Sequence, residues 1–371
     1  MKKLITAIGL MSGTSCDGID ASIVKSDGED VLDLIGNYFF PYEEKTMSKV
    51  RKLKEKIDTP LDLEINKNEI ADLEKKITSL HSKTIHLLLE KLKINKSEID
   101  LVGLHGHTIF HSFKEKQTKQ LGDGKTLSEL TGLNIVYDFR ENDLKNGGQG
   151  APLVPIFHKL LKKKLQLKIP LVFVNIGGIS NLTYLDSKNK MISFDSGPGN
   201  FLIDKQMQLK SRDKMQFDKN GEIAFKGRVD KNILDSYLSD PYYDFLPPKS
   251  LDVNDFNLTK VKSLTIENSI TTLSELTVLT IVNSLNFFPN KPQKIILCGG
   301  GRKNKYIYER IQKISNVSTL SVDDYKINGD FIESQAFAYL AVRSFFNKPI
   351  TFTETTGVPR PTTGGKLIEF K

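Results

Sequence analysis

The chain has 371 residues, 39% hydrophobic and 26% charged, enough for two ordinary domains or one large one, and no run is long and apolar enough to span a bilayer. Its net charge of +8 is carried mostly by lysine, densest over Lys45–Lys56 and Lys162–Lys168; apolar residues at helical spacing mark these as solvated helix faces, whereas a nucleic-acid groove wants arginine and aromatics clustered on one face. Two cysteines, Cys16 and Cys298, are too few and too far apart for a disulfide framework and fit a reducing cytoplasm.

The opening Met1–Met11 has basic residues before an apolar stretch, as a signal peptide does. That stretch is short, is punctuated by Thr6 and Gly9 and leads to no cleavage site, so it predicts a first β-strand, buried over Leu4–Leu10. The chain breaks into Ser12-Gly13-Thr14-Ser15-Cys16-Asp17-Gly18-Ile19, re-enters strand over Ala21–Val24, turns at Ser26–Asp30 and returns through Val31–Phe40, a meander. The first turn offers N–H and O–H donors to a phosphate, and Asp17 or Asp20 could hold Mg²⁺ through water. A plain polar turn fits the same spacing. No Gly-Lys-Ser/Thr opens a helix there, so it is not a Walker loop.

Helical periodicity covers Glu43–Lys56 and Leu61–Leu92. A strand over Leu101–Leu104 ends in His105-Gly-His-Thr-Ile-Phe-His111. Three histidines in seven residues raise zinc, but no cysteine or acid-x-His partner lies nearby, and His105 and His107 share a face only if the strand continues past Gly106. Polar contacts to a hydroxylated ligand, centred on His107 and Thr108, are the preferred reading. A turn over Lys119–Gly124, a short helix ending at Gly132 and a strand over Asn134–Tyr137 lead to Asp138, Arg140 and Asp143, which are either ligand-positioning groups or a structural salt-bridge cluster. Gly147–Pro155 looks like a helix start with Pro152 near its first turn.

Two glycine-rich turns follow, Asn175–Asn181 (NIGGISN) and Phe194–Asn200 (FDSGPGN), each after a short apolar run. Glycine at Gly177, Gly178, Gly197 and Gly199 lets the backbone take positive φ and pass close to a ligand, which suits a phosphate. Asp195, at the tip of the second strand, is the candidate catalytic base; the alternative is that its carboxylate ties the turn together by accepting backbone N–H groups. Helices are expected over Phe201–Leu209 and Leu273–Phe287, with a polar, turn-rich stretch over Asp213–Gly227 and a loop at Pro247–Ser250. Lys294–Gly301 is a strand-to-glycine junction before a helix over Lys303–Ile314. Gly299, Gly300 and Gly301 would let a base or ribose lie on the backbone and point a helix N-terminus at phosphate, while the missing acidic ribose partner discounts a Rossmann oxidoreductase. The last helix opens at Ile332, with Glu333 in its first turn, where it complements the helix dipole or reaches a substrate hydroxyl. No internal sequence repeat is evident.

Six blocks, Leu10–Asp20, Asp138–Arg140 with Gly147–Pro155, Asn175–Asn181, Phe194–Asn200, Leu297–Gly301 and Glu333–Ala338, together resemble the anhydro-N-acetylmuramic acid kinase family over nearly the whole chain. The resemblance implies an α/β, two-domain actin-like ATPase (ribonuclease H-like) fold with a nucleotide cleft between its lobes. The N-terminal lobe would be residues 1–136 completed by the tail 345–371, with the phosphate-binding hairpin and part of the sugar site. The second lobe would be residues 137–344, with the catalytic Asp and the adenosine site. It further implies a cytoplasmic, homodimeric enzyme of cell-wall recycling that takes 1,6-anhydro-N-acetylmuramic acid, ATP and water to N-acetylmuramic acid 6-phosphate and ADP with Mg²⁺, without nucleic-acid or membrane partners.

In that scheme Asp195 is the catalytic base. Ser12, Gly13, Thr14, Ser15, Cys16, Asp17, Gly18 and Ile19 grip the ATP phosphates, Gly177, Gly178, Asn181 and Gly299–Gly301 hold the nucleotide, and His107, Thr108, Asp138, Arg140 and Glu333 position the sugar. Three positions depart from the family pattern: Cys16 stands where a larger aliphatic residue is usual, His107 where glutamine is frequent, and Val253 at or near an expected arginine. An actin-like-fold ATPase or kinase acting on a different sugar is the alternative. An ATP-driven chaperone or filament subunit would need a peptide-binding domain that the chain does not offer.

Overall fold

The computed structural model describes residues 3–13, 15–188 and 190–371. Three adjacent strands, β1 (Ile5–Ser12), β2 (Gly18–Ser26) and β3 (Leu32–Pro41), form the expected antiparallel meander. After α1 (Glu44–Lys54), the periodicity read as one helix over Leu61–Leu92 divides into α2 (Pro60–Ile65) and α3 (Lys67–Leu92), because the backbone leaves helical geometry at Asn66. Next come β4 (Leu101–Ser112), β5 (Gln117–Leu121), α4 (Gly124–Thr131), β6 (Ile135–Tyr137), α5 (Glu141–Lys145) and α6 (Pro155–Lys164). Asp123 caps α4 through Thr126 N–H at 2.7 Å and Gly132 closes it with φ 68°. The proline in the first turn of α6 is Pro155; Pro152, expected there, lies three residues upstream of the helix.

The second half begins with β7 (Leu171–Ile176), β8 (Ile179–Leu185), β9 (Met191–Pro198) and α7 (Phe201–Ser211). It continues with α8 (Lys231–Leu238), which the polar composition did not suggest, then α9 (Ile266–Ser284), β10 (Lys294–Cys298), α10 (Lys305–Ser315) and β11 (Ser318–Ser321). The chain ends with α11 (Ile332–Phe345), α12 (Thr353–Thr356) and β12 (Lys366–Ile368).

Two compact units result, one from residues 1–166 and 331–371, the other from 167–330. The division therefore falls at 166/167 and 330/331 rather than at 136/137 and 344/345 as the sequence suggested. The reason is packing. Strand β6 pairs parallel with β4, and α11 lies on β1, β2 and β4 so closely that a Cβ on Gly103 of β4 would sit 2.3 Å from the Phe337 carbonyl oxygen. Glycine lets helix and sheet backbones touch, and this places 331–344 in the first unit.

The first sheet runs β3-β2-β1-β4-β6-β12, with β5 paired to β4; the second runs β9-β8-β7-β10-β11. In each unit an antiparallel meander is followed by two strands parallel to its first member. The two units thus share one topology, the duplicated α/β arrangement of the actin-like fold, despite the absence of a visible sequence repeat. Each has its own apolar core, including Ile8, Leu10, Ile77 and Leu104 in the first and Val172, Phe194, Leu276 and Ile295 in the second. Replacing Gly103 by Ala forces α11 off the sheet and should lower stability by about 1–3 kcal/mol, as overpacking does, measured as a lower urea midpoint followed by far-UV circular dichroism.

Candidate functional site

In the second unit Asp195 lies inside β9, three residues before its end, and not at a strand tip. Opposite it the register slips. Ser180 faces Gly197 while Asn181 faces Asp195, which leaves Ser196 as the extra residue of a bulge. Direct pairing carries this row across the sheet, with Asn181 facing Asn175 on β7 and Asn175 facing Cys298 on β10. Two expected site residues, Asn181 and Asp195, are thereby brought side by side.

Asp195 is 7% exposed. Its Oδ2 accepts the Leu251 N–H at 2.9 Å, its own N–H donates to the Lys249 carbonyl at 3.1 Å, and the Tyr242 hydroxyl donates to its carbonyl at 2.6 Å. Accepting a backbone N–H is what the structural reading of this residue expected, and the same bond fixes the carboxylate in one orientation. The segment that supplies these partners was legible in the sequence only as a loop.

Gly177 and Gly178 turn the β7–β8 hairpin, and their carbonyls accept N–H groups from Asn200 at 2.7 Å and Gly199 at 2.8 Å. The positive φ that glycine permits is not used at Gly177, Gly178 or Gly199, and at Gly197 φ is 159°, close to extended. Close approach explains Gly199 instead, since a Cβ there would lie 2.2 Å from the Gly177 oxygen. Gly299, at φ 74°, sits against Asn175 and Ile176, and Gly301 against Ile176 and Asn200, so the Gly299–Gly301 run packs on residues that flank the first two glycine turns. A 3₁₀ turn over Gly300–Lys303 separates these glycines from α10, whose N-cap Asn304 accepts the Ile307 N–H at 3.2 Å. The helix N-terminus therefore does not follow the glycines directly, as the sequence had suggested.

In the first unit the expected phosphate-binding run is shorter as a loop than predicted. Ser12 ends β1, Gly18 and Ile19 already belong to β2, and Thr14 lies outside the described residues. The Ser12 hydroxyl bonds that of Tyr42 at 3.1 Å, Ser15 donates to Asp17 at 2.5 Å, and Arg51 of α1 donates to the Ser15 carbonyl at 3.1 Å. Arg51 was missed, because its run reads as a solvated face. Asp17 is exposed beside this loop, which suits a Mg²⁺ ion that keeps most of its waters. Asp20 pairs within the sheet between Met11 and Phe39. Among the described residues no group of three or more His, Cys, Asp or Glu is placed to hold a metal.

Strand β4 does continue past Gly106, but with a register slip there, and Gly106 has φ 78°. The His105 ring consequently packs on Phe337, at 4.3 Å between centroids, while His107 turns to Cys16, with Nε2 3.5 Å from Sγ. Burial drives the His107 pKa down to about 3, and its Nδ1 has no hydrogen-bond partner among the described residues. Burial, aided by the charge of Arg140, also holds His105 well below the usual range. With Nδ1 3.0 Å from the Gly106 oxygen, the neutral ring carries its proton there, leaving Nε2 to accept from Arg140 Nη2 at 2.9 Å.

Arg140 also donates to the Gly150 carbonyl at 2.7 Å. Asp138 takes Lys366 at 2.8 Å, and burial nonetheless pushes its carboxyl up. Asp143 accepts the Gly150 N–H at 2.7 Å and the Thr356 hydroxyl at 2.8 Å. The three charged residues thus have different jobs: Asp143 clamps the glycine loop, while Arg140 is held by a histidine and a carbonyl. Thr108 accepts from Gln120 at 3.3 Å, and Glu333 is half-buried in the first turn of α11.

A family model described as anhydro-N-acetylmuramic acid kinase matches residues 5–369. The protein of that name from Pelagibacter ubique is 44% identical over 379 residues, covering 100% of both chains. Those from Agrobacterium fabrum and Zymomonas mobilis are each 37% identical, covering 99% and 97% of this chain and 100% and 99% of their own. Replacing Asp143 by Ala strands two buried donors and should cost about 1–3 kcal/mol per unsatisfied group, read as a fall in the thermal midpoint that Asp143→Asn only partly reproduces.

Proposed function

Because the chain belongs to the anhydro-N-acetylmuramic acid kinase family, it is a kinase that phosphorylates that anhydro sugar in cell-wall recycling, and we propose that it does so by hydrolytic ring opening with Asp195 as general base. Water attacks the anomeric carbon and gives its proton to the Asp195 carboxylate. The bond from C1 to the bridging 6-oxygen breaks, and that oxygen takes the γ-phosphoryl group of ATP, releasing ADP. The observation that supports this role is a buried carboxylate held in one orientation by the Leu251 amide.

Backbone donors of the Gly13–Asp17 loop bind phosphate oxygens, with Arg51 steadying the loop through Ser15. Gly177, Gly178, Asn181 and Gly299–Gly301 receive the nucleotide. Arg140, pre-set by His105 and Gly150, hydrogen-bonds the sugar together with His107, Thr108, Asp138 and Glu333. Asp17 would hold Mg²⁺ through water, and the ion would supply charge neutralisation to the phosphates. Among the described residues no helix is long and apolar enough to cross a membrane; likeness to the family is what supports a cytoplasmic homodimer.

Turnover in ¹⁸O-labelled water, with the product identified by mass, should place one ¹⁸O at the anomeric position and phosphate on the 6-oxygen. Product from a different sugar only would favour another kinase of this fold. Asp195→Asn should fold normally and lose at least about 10²-fold in kcat, the usual contribution of a positioned base; near-normal turnover would remove Asp195 from the mechanism.

A further inference from the structure

Lys249 is 5% exposed, and the Asp244 carboxylate acts on its ammonium through charge. Its Nζ donates hydrogen bonds to the carbonyls of Tyr242 at 3.0 Å and Tyr243 at 3.2 Å. Three aromatic rings surround the ammonium, with centroids at 4.4 Å for Phe287, 4.7 Å for Tyr242 and 5.7 Å for Phe194. Burying a charge is unfavourable unless hydrogen bonds and ring faces compensate it, and a leucine or methionine would fill the same cage without that cost. The charge therefore does something that packing does not need.

Its position shows what. The ammonium ties the 3₁₀ turn Pro241–Asp244 back onto residue 249, closing residues 242–249 into a loop around one cation. Every end of that loop is bonded to Asp195. The Tyr242 hydroxyl donates to its carbonyl, the Lys249 carbonyl accepts its N–H, and two residues further on the Leu251 N–H meets its carboxylate. Phe194, the residue before Asp195, is one wall of the cage.

We propose that Lys249 is a positioning residue for the reaction: its ammonium latches the 242–251 segment so that the Leu251 amide holds the Asp195 carboxylate in its reactive orientation. This rests on Asp195 being the base, and the test separates the two ideas. Lys249→Met keeps the volume and removes the donors; Lys249→Arg keeps charge and donors. Tyr242→Phe deletes a single oxygen and serves as the second probe should Lys249→Met fail to fold, which circular dichroism would reveal.

All are compared with Asp195→Asn and with the double variant Asp195→Asn/Lys249→Met, using ATP and the anhydro sugar. Lys249→Met is expected to lose about tenfold or more in kcat while KM for both substrates stays within about twofold, because the lost contact matters only once the base acts. Lys249→Arg should recover part of the loss, and Tyr242→Phe should fall in the same direction by less. In the Asp195→Asn background the Lys249 change should cost nothing more, since residues acting through one group are not additive. A normal kcat in Lys249→Met or, if that variant does not fold, in Tyr242→Phe would overturn the latch, as would full multiplication of the two losses or a rise in KM alone. Near-normal turnover of Asp195→Asn would overturn the base itself, and the latch with it.

Discussion

The second unit is organised around the difficulty of keeping the Asp195 carboxylate out of water. Solvation lost on burial has to be replaced by donors, and a donor that rotates or titrates would let the orientation drift. The backbone N–H of Leu251 does neither. Its bond to Asp195 requires residues 242–251 to lie along β9, which explains the Tyr242 hydroxyl bond, the Lys249 carbonyl bond and the bulge at Ser196 as parts of a single arrangement. The glycine turns then follow, since Gly199 must come within contact of Gly177 for the chain to leave β9 and start α7 where it does.

A common topology in the two units clarifies where each set of chemical groups sits. In each, the parallel pair at the middle of the sheet carries a candidate turn or bulge: β1 leads into the Gly13–Asp17 loop, β4 holds the bulge at Gly106, and β10 leads into Gly299–Gly301. Central strands are covered on both faces, so their ends are among the few places where backbone donors reach a ligand while their roots stay rigid. No sequence repeat accompanies the repeated strand order, because topology asks only for apolar strands of suitable length and short connections. Identity of side chains is free to diverge.

Strands and glycine junctions were legible in the sequence because they rest on local signals: alternating or continuous apolar runs, and glycine where backbones turn or touch. Asp195 and Asn181 were both singled out for that reason, and they do pair. What escaped depends on contacts between residues far apart in sequence. Arg51 looked like one lysine-rich helix charge among many until Ser15 was placed beside it, and Lys249 looked like a loop lysine until three rings enclosed it. Bulges escaped for a different reason. A one-residue slip at Gly106 or Ser196 leaves composition unchanged but re-aims every side chain beyond it, so His105 and His107 could not be assigned to faces in advance. Assignment of residues 331–344 to the first unit likewise needed the close approach of Gly103 and Phe337.

Two positions singled out in the sequence, 16 and 107, meet in the structure. Cys16 and His107 touch each other at 3.5 Å, and both are buried. The small thiol on the loop leaves room for the imidazole ring on β4 in a close-packed interior. Burial keeps that ring neutral and raises the thiol, so the pair adds no charge to the loop. Val253 is a separate matter. Its side chain is 4% exposed, on the 3₁₀ turn that follows Leu251, and an arginine there could not occupy the same apolar space with its charge intact. The turn is fixed by packing, which leaves the buried ammonium of Lys249 as the cation nearest in sequence to the Leu251 amide that bonds Asp195.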